Sequence, residues 1–328
     1  MAAMKPPRSR APAPSTPQPG GRRRRRETLV GYGFISPVLV GLLLWTALPM
    51  VLSFAYSFTR YDLPRKPRFT GLDNFHQLFT DPQFYNALKV TVLYAVISVP
   101  LGLAVGLFIA VLLNQNVPGM RVFRTLIYLP AILPVVAGAV VFKVLLSPSE
   151  YGIVNSVLMH LHLIDTPIEF FTSPTMAMPS MILMSLWHAG ASMLIWLAGL
   201  RSVPTELLDA AKVDGASTWT RFWRITMPMI TPTILFNAVL SIINAMQVFT
   251  QSLIVVTATS GKVQNAANGS PLGALDFINV YIYRHTFGYL QFGIGSAGAW
   301  VLFVLTLAVT LLFFRSSRRW VFYQGGDR

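Results

Sequence analysis

Six stretches of this chain, at about 30–58, 86–114, 122–146, 176–200, 230–257 and 292–314, run for twenty residues or more with almost no charge. A bilayer core about 30 Å thick is crossed by about 20 helical residues. Backbone groups in lipid must also be satisfied within their own segment, which leaves the helix as the natural spanning form for such runs. The pattern predicts an all-α polytopic membrane protein with six transmembrane helices. Only 12% of the residues are charged, half the roughly 25% of soluble domains, and mean hydropathy is +0.55.

The net charge of +14 would suit a nucleic-acid binder, but its placement argues otherwise. Eight basic residues precede Thr28, five of them in the run Arg22 to Arg26, and the remaining clusters flank the spans. With the N-terminus inside, 18 of the 26 basic residues fall on the cytoplasmic side, while the loop at about 147–175 has no Lys or Arg. The positive-inside rule then places both termini in the cytoplasm of a cell with a plasma membrane of this kind. The basic segments meet anionic headgroups rather than DNA or RNA. The first apolar stretch is too long for the core of a cleaved signal peptide, so it reads as a retained span.

The organisation follows: a basic, disordered tail over 1–28, a first span and loop over 29–85, a core over 86–314 containing a loop at 202–228, and a second tail over 315–328. All twelve acidic residues lie outside the six stretches. A carrier driven by an ion gradient commonly keeps a carboxylate within the membrane despite its cost, so coupling from a cytoplasmic attachment is the better expectation. The spans also lack interior Arg or Lys, which argues against an anionic substrate. There is no cysteine, and His188 has no second metal ligand at suitable spacing.

The loop from Val203 to Pro228 carries the most specific signal. Pro204 suits a first helical turn, and Glu206 sits at the positive end of the helix dipole. Leu207, Leu208 and Ala211 share a face. Asp214-Gly215 is a helix stop, with Gly215 free to take positive φ. Ser217 is placed to cap a second short helix bearing Trp219, Phe222 and Trp223, which Pro228 is expected to end. Asp209-Ala-Ala211, then Gly215, Ile225 and Met227-Pro228, resemble the EAA loop of ABC importer permeases. Asp replaces Glu at 209 and Met replaces Leu at 227. Leu197 to Pro204, Tyr281 to Phe287 and Arg318 to Tyr323 extend the similarity to the maltose and multiple-sugar type of permease, over roughly 86–323.

That resemblance implies a type I ABC importer permease fold in a bacterial or archaeal cell membrane, and a transport subunit rather than an enzyme. It implies a second, homologous permease, two cytoplasmic ATP-binding cassette ATPase subunits and an extracellular or periplasmic sugar-binding protein. The last would contact about 60–85, 147–175 and 258–288. Glu206, Leu207, Leu208, Asp209, Ala210, Ala211, Gly215 and Pro228 become the ATPase-docking residues. No cofactor is expected on this chain; the partner ATPase would use ATP and Mg. Consistently, Gly261-Lys262 is followed by Val and has no leading glycine, so no Walker A loop exists. Gly293 to Gly298 matches G-x-G-x-x-G, but at the start of an apolar span it reads as small residues for close packing, like Gly102 and Gly106.

A pathway for a neutral carbohydrate needs amides, hydroxyls and aromatic faces inside the spans. Asn237, Ser241, Asn244 and Gln251 recur on one helical face with Gln247 beside it, and the fourth span adds Trp187, His188 and Ser192. A polyol or glycerol phosphate is the alternative cargo.

Overall fold

The computed structural model describes residues 21–115, 117–149, 152–260 and 273–322. Among the described residues the regular structure is helical except for a small ribbon. It divides into two units, 1–53 and 54–328. In the first, helix α1 (Gly21–Leu42) passes through a π-turn (Leu43–Ala47) into α2 (Leu48–Ser57), which enters the second unit. Residues 21–28, assigned by sequence to the tail, are therefore helical, because the basic run continues directly into an apolar helix; 1–20 lie outside the described residues. Leu29, Phe34 and Trp45 are exposed, as suits a helix that is apolar all round.

In the second unit, strands β1 (Thr59–Arg60) and β2 (Arg68–Phe69) pair antiparallel in what the sequence reads as a plain polar loop. A short α3 (Asp73–Thr80) leads into α4 (Pro82–Leu113), the longest helix. Asp81 caps α4 by accepting from Gln83 N at 2.8 Å, and Pro82 occupies the first turn. At the far end, the Arg124 guanidinium donates to the Leu113 carbonyl at 2.6 and 3.2 Å, satisfying one of the free C-terminal acceptors.

The third apolar stretch is not a straight span. Helix α5 (Met120–Ile132) and α6 (Val135–Leu145) meet at 98° across Leu133-Pro134. Pro134 cannot continue a helix and biases Leu133 to extended backbone, where it sits at ψ 135°. After α7 (Ile153–His160), the fourth span comprises α8 (Ala177–Leu186), a 3₁₀ turn (Trp187–Ser192) and α9 (Met193–Arg201). The fifth comprises α13 (Thr231–Met246), a break at 247–249, and α14 (Thr250–Ser260). The sixth is α16 (Phe292–Ser317), preceded by α15 (Ile278–Tyr283) and a π-turn (Arg284–Gly288). Five stretches are thus helices long and apolar enough to cross a membrane, and the third, a bent pair, makes a further crossing when taken as one span.

Helices α4, α9 and α13 pack together. At one end of the bundle Ala110, Leu113, Trp196, Leu200 and Ile230 form a buried cluster; at the other, Leu78, Phe84, Met246, Ile278 and Tyr281 form a second. Small residues permit the close approaches. A Cβ on Gly106 would lie 2.9 Å from Trp196 Nε1. One on Gly190 would strike the Ile127 carbonyl, and Gly293 and Gly295 press against Thr59 and Thr286. The packing role expected of Gly293 to Gly298 and Gly106 is realised. Gly102, by contrast, has nothing within 4 Å of its missing Cβ.

The segment 273–291 is stapled to α4 by polar contacts. Ile278 N donates to Thr91 Oγ1 at 2.9 Å and Asn86 Nδ2 to the Gly273 carbonyl at 3.0 Å. Tyr281 donates to Asp81 Oδ2 at 2.7 Å. Arg284 donates to both oxygens of Asp276 at 3.0 Å. Cations also lie within the spanning helices, contrary to the sequence expectation: Lys89 is exposed in α4 and Lys143 in the last turn of α6. Stretches bounded by hydropathy alone take in such end turns. The Gly261-Lys262 pair, Glu150, Tyr323 and most of 258–272 lie outside the described residues.

Candidate functional site: a helical elbow and a polar cavity

Between α9 and α13 the chain folds into an elbow. Helix α10 (Thr205–Val213) starts after Pro204, which takes the N-cap rather than the first turn. Glu206 lies in the first turn and Lys212 in the last, each matching the helix dipole. The end of α10 is a Schellman motif: Ala216 N donates to Ala211 O at 2.9 Å and Gly215 N to Lys212 O at 3.1 Å. Gly215 supplies the required positive φ, +80°. Ser217 Oγ then accepts from Thr220 N at 3.2 Å and opens α11 (Thr218–Arg221).

Pro228 does not end this second helix. A π-turn (Phe222–Thr226) precedes α12 (Met227–Met229), with Met227 N donating to the Phe222 carbonyl. The wider turn makes room for a ring that lacks a donor and would otherwise strike the carbonyl four residues back. Pro49 is carried in the same register, two residues after the π-turn in which Leu48 N bonds Leu43 O.

The elbow's apolar residues divide between two sides. Leu208 and Ile225 pack on the Ala110–Trp196–Ile230 cluster, and Ala211 is half-buried. The outward stripe is Leu207, Ala210 and Val213, beside Glu206 and Asp209, with Val213 89% and Trp219 71% exposed. The sequence reading grouped Leu207, Leu208 and Ala211 and omitted Val213. Two apolar stripes run along α10, and the pattern alone does not say which faces inward. Phe322 reaches this place too: its N donates to Thr231 Oγ1 at 2.9 Å, and that hydroxyl donates to the Pro228 carbonyl at 2.7 Å.

The second feature is a cavity of about 610 Å³. His188 and Ser192 line it from the fourth span; Asn237, Ser241, Asn244, Gln247 and Gln251 line it from the fifth. Seven of the eight sequence-selected residues therefore meet in one place. Trp187 does not; the 3₁₀ turn lays its ring against Phe142, centroids 5.6 Å apart. Tyr94, Ser98 and Gly102 of α4 also line the cavity and were missed, although their spacing by four marks one helical face.

All three broken spans contribute to the wall, through Val135 just past the α5–α6 bend, through the 3₁₀ turn and through the break at 247–249. Asn237 donates to the Thr233 carbonyl at 3.0 Å and Ser192 to Ala189 at 3.0 Å. The side chains of Ser241, Asn244, Gln247 and Gln251 have no hydrogen bond among the described residues, and His188 Nε2 is buried without a partner against Gly138. The lining has no Asp, Glu, Lys or Arg. No group of metal-binding side chains occurs among the described residues. The arrangement offers neutral donors and acceptors, ready for a polar uncharged guest.

Residues 102–321 match the family described as "Binding-protein-dependent transport system inner membrane component". A probable ABC transporter permease protein of Bacillus subtilis, YesP, is 41% identical over 93% of this chain and 96% of its own length. The lactose transport system permease protein LacF of Rhizobium radiobacter is 31% identical over 88% and 94%. A chain in the crystal structure of a bacterial alginate ABC transporter, in complex with alginate pentasaccharide-bound periplasmic protein, matches with TM-score 0.75 and 26% identity, covering 92% of this chain and 98% of that one. The six-crossing fold, the elbow between its fourth and fifth spans and these matches place the chain in the binding-protein-dependent inner membrane component family, the membrane-spanning permease subunits of ABC importers.

Proposed function

We propose that this permease carries a carbohydrate into the cell and forms half of the pathway, the other half coming from a homologous permease. The observation that carries the reading is the cavity of amides and hydroxyls, those of Ser241, Asn244, Gln247 and Gln251 without a hydrogen bond among the described residues, free of charge and set where three spans are broken. Unwound membrane helices expose backbone groups to a guest, and sugars need many neutral hydrogen bonds rather than a counter-ion. The relatives include permeases for lactose, trehalose/maltose and arabinooligosaccharides. Asn237, Ser241, Asn244, Gln247 and Gln251 bind hydroxyls; His188 and Ser192 complete the opposite wall.

Two ATPase subunits drive the cycle from the cytoplasm, where both termini and the elbow lie. Glu206, Leu207, Asp209, Ala210 and Val213 make the docking surface, Gly215 sets its turn, and Leu208, Ala211 and Pro228 anchor it to the bundle. An extracellular sugar-binding protein delivers cargo on the opposite face. ATP and Mg act on the ATPase alone.

Co-purification from the native membrane tests the assembly; an ATPase and a second permease are the expected companions. Asp209→Lys should reduce both ATPase recovery and uptake of radiolabelled sugar. Sugar uptake by the chain reconstituted alone, without ATP, would overturn the proposal.

A further inference from the structure

A second cavity, of about 700 Å³, lies on the other side of Gln247 and Phe249, which line both. Both volumes fall in the range of about 300–1,000 Å³ that holds small ligands. The second is walled by α15, the π-turn after it and α16. Its aromatic rings are in series: Phe249 to Tyr283 at 5.1 Å between centroids and Tyr283 to Phe287 at 5.1 Å, with Phe303 on α16. Ring faces carry the negative part of the aromatic quadrupole, to which the polarised C–H bonds on one face of a sugar ring are drawn.

Polar groups are placed among these rings. The amides of Gln247 and Asn279 and the Tyr283 hydroxyl line the cavity and have no hydrogen bond among the described residues. Thr310 Oγ1 is buried with no partner. A lipid chain filling this space would leave each of them unsatisfied. A guest with hydroxyls around its edge and C–H bonds on its face answers both the amides and the rings. The first cavity has fewer Phe and Tyr rings and the second fewer amides, so the two differ in character while sharing one wall.

We infer that the second cavity is a further saccharide subsite, and that the transported carbohydrate is at least two rings long and passes across Gln247 from one cavity into the other. This rests on the carbohydrate reading given above and deepens it.

The absence of cysteine allows a clean test. Ser241→Cys reports on the first cavity and Ala299→Cys on the second, with Thr306→Cys repeating the second readout from another point of its wall. Each variant is assembled into the full importer in lipid nanodiscs and labelled with a hydrophilic maleimide. Matched ladders of one to four residues built from glucose, from xylose and from arabinose serve as the protecting probes.

At least one ladder should slow labelling of S241C about tenfold from its first member onward. The same monosaccharide should slow A299C and T306C less than about twofold, and the disaccharide and longer members about tenfold. Suppose S241C is protected while the second pair is protected equally at every length, or never takes up label because another helix covers it. The second subsite then falls and the carbohydrate reading stands. Free labelling of S241C in the presence of all three ladders overturns both.

Discussion

Arg284 and Asp276 face each other through two 3.0 Å contacts, and the side chains are 0% and 5% exposed. The pair closes the segment 273–291 on itself, while Tyr281 and Asp81 tie that segment to the start of α4. Burial pushes the Asp276 carboxyl above the ordinary carboxylate value, and the bonded guanidinium opposes that push.

Removing one partner leaves an uncompensated buried charge, which costs about 3–5 kcal/mol. Asp276→Asn should therefore lower the thermal midpoint of the purified protein sharply. Replacing both, as Asp276→Leu with Arg284→Met, should recover most of the loss. A double variant no better than the single one would show that the charges themselves are required.

His285 lies 2.9 Å from Gln291 through Nδ1. Burial holds the imidazole below its usual value, with Arg284 adding to the effect and Gln291, Asp81 and Asp276 opposing it. The unfolded chain then binds more protons than the folded one between the depressed value and the ordinary histidine value of about 6.5. The stabilisation is present above that window and is lost as pH falls through it. Thermal midpoints measured at neutral pH and at about pH 5 should diverge in the native protein and converge in His285→Gln.

Gly215 has nothing within 4 Å of its missing Cβ, so any defect on substitution arises from its φ of +80°. Asn visits this region readily and β-branched residues do not. Gly215→Asn should keep most uptake, whereas Gly215→Val should straighten the elbow, costing about 1–3 kcal/mol locally, and separate ATP hydrolysis from transport. Equal uptake by the two variants would remove the turn from the mechanism.

Gly190 and Gly102 offer a contrast in steric demand. A Cβ on Gly190 strikes the Ile127 carbonyl, a backbone atom that cannot step aside, while Gly102 faces open space in the cavity. Gly190→Ala should cost on the order of 1–3 kcal/mol, as overpacking does, and lower the yield of folded protein. Gly102→Ala should leave the yield unchanged, as read by size-exclusion chromatography.

Much of this was legible in the residues. Spans are long and carry few charges, so each is legible even where one is bent. Asn237, Ser241 and Asn244 keep helical spacing up to the break, and for that reason they converge as expected. Harder to read were features set by tertiary contacts. The 3₁₀ turn at 187–192 coincides with the close approach of Gly190 to a carbonyl of another helix, and Trp187 leaves the cavity wall at its start. Leu207 and Leu208 are adjacent and equally apolar, so only the buried cluster beneath α10 decides which one faces solvent. Asp276 and Arg284 lie in a stretch with no periodicity, and nothing local marks them as partners.

The bond from Phe322 to Thr231 bears on how the protein should be handled at the bench. Six residues beyond Phe322 reach at most about 20 Å, so an affinity handle fused after residue 328 starts within that distance of the elbow's root. A bulky fusion there would crowd the approach of the ATPase subunits proposed above and would read as a dead transporter. A long Gly/Ser spacer should restore activity to such a fusion without any change in the permease itself.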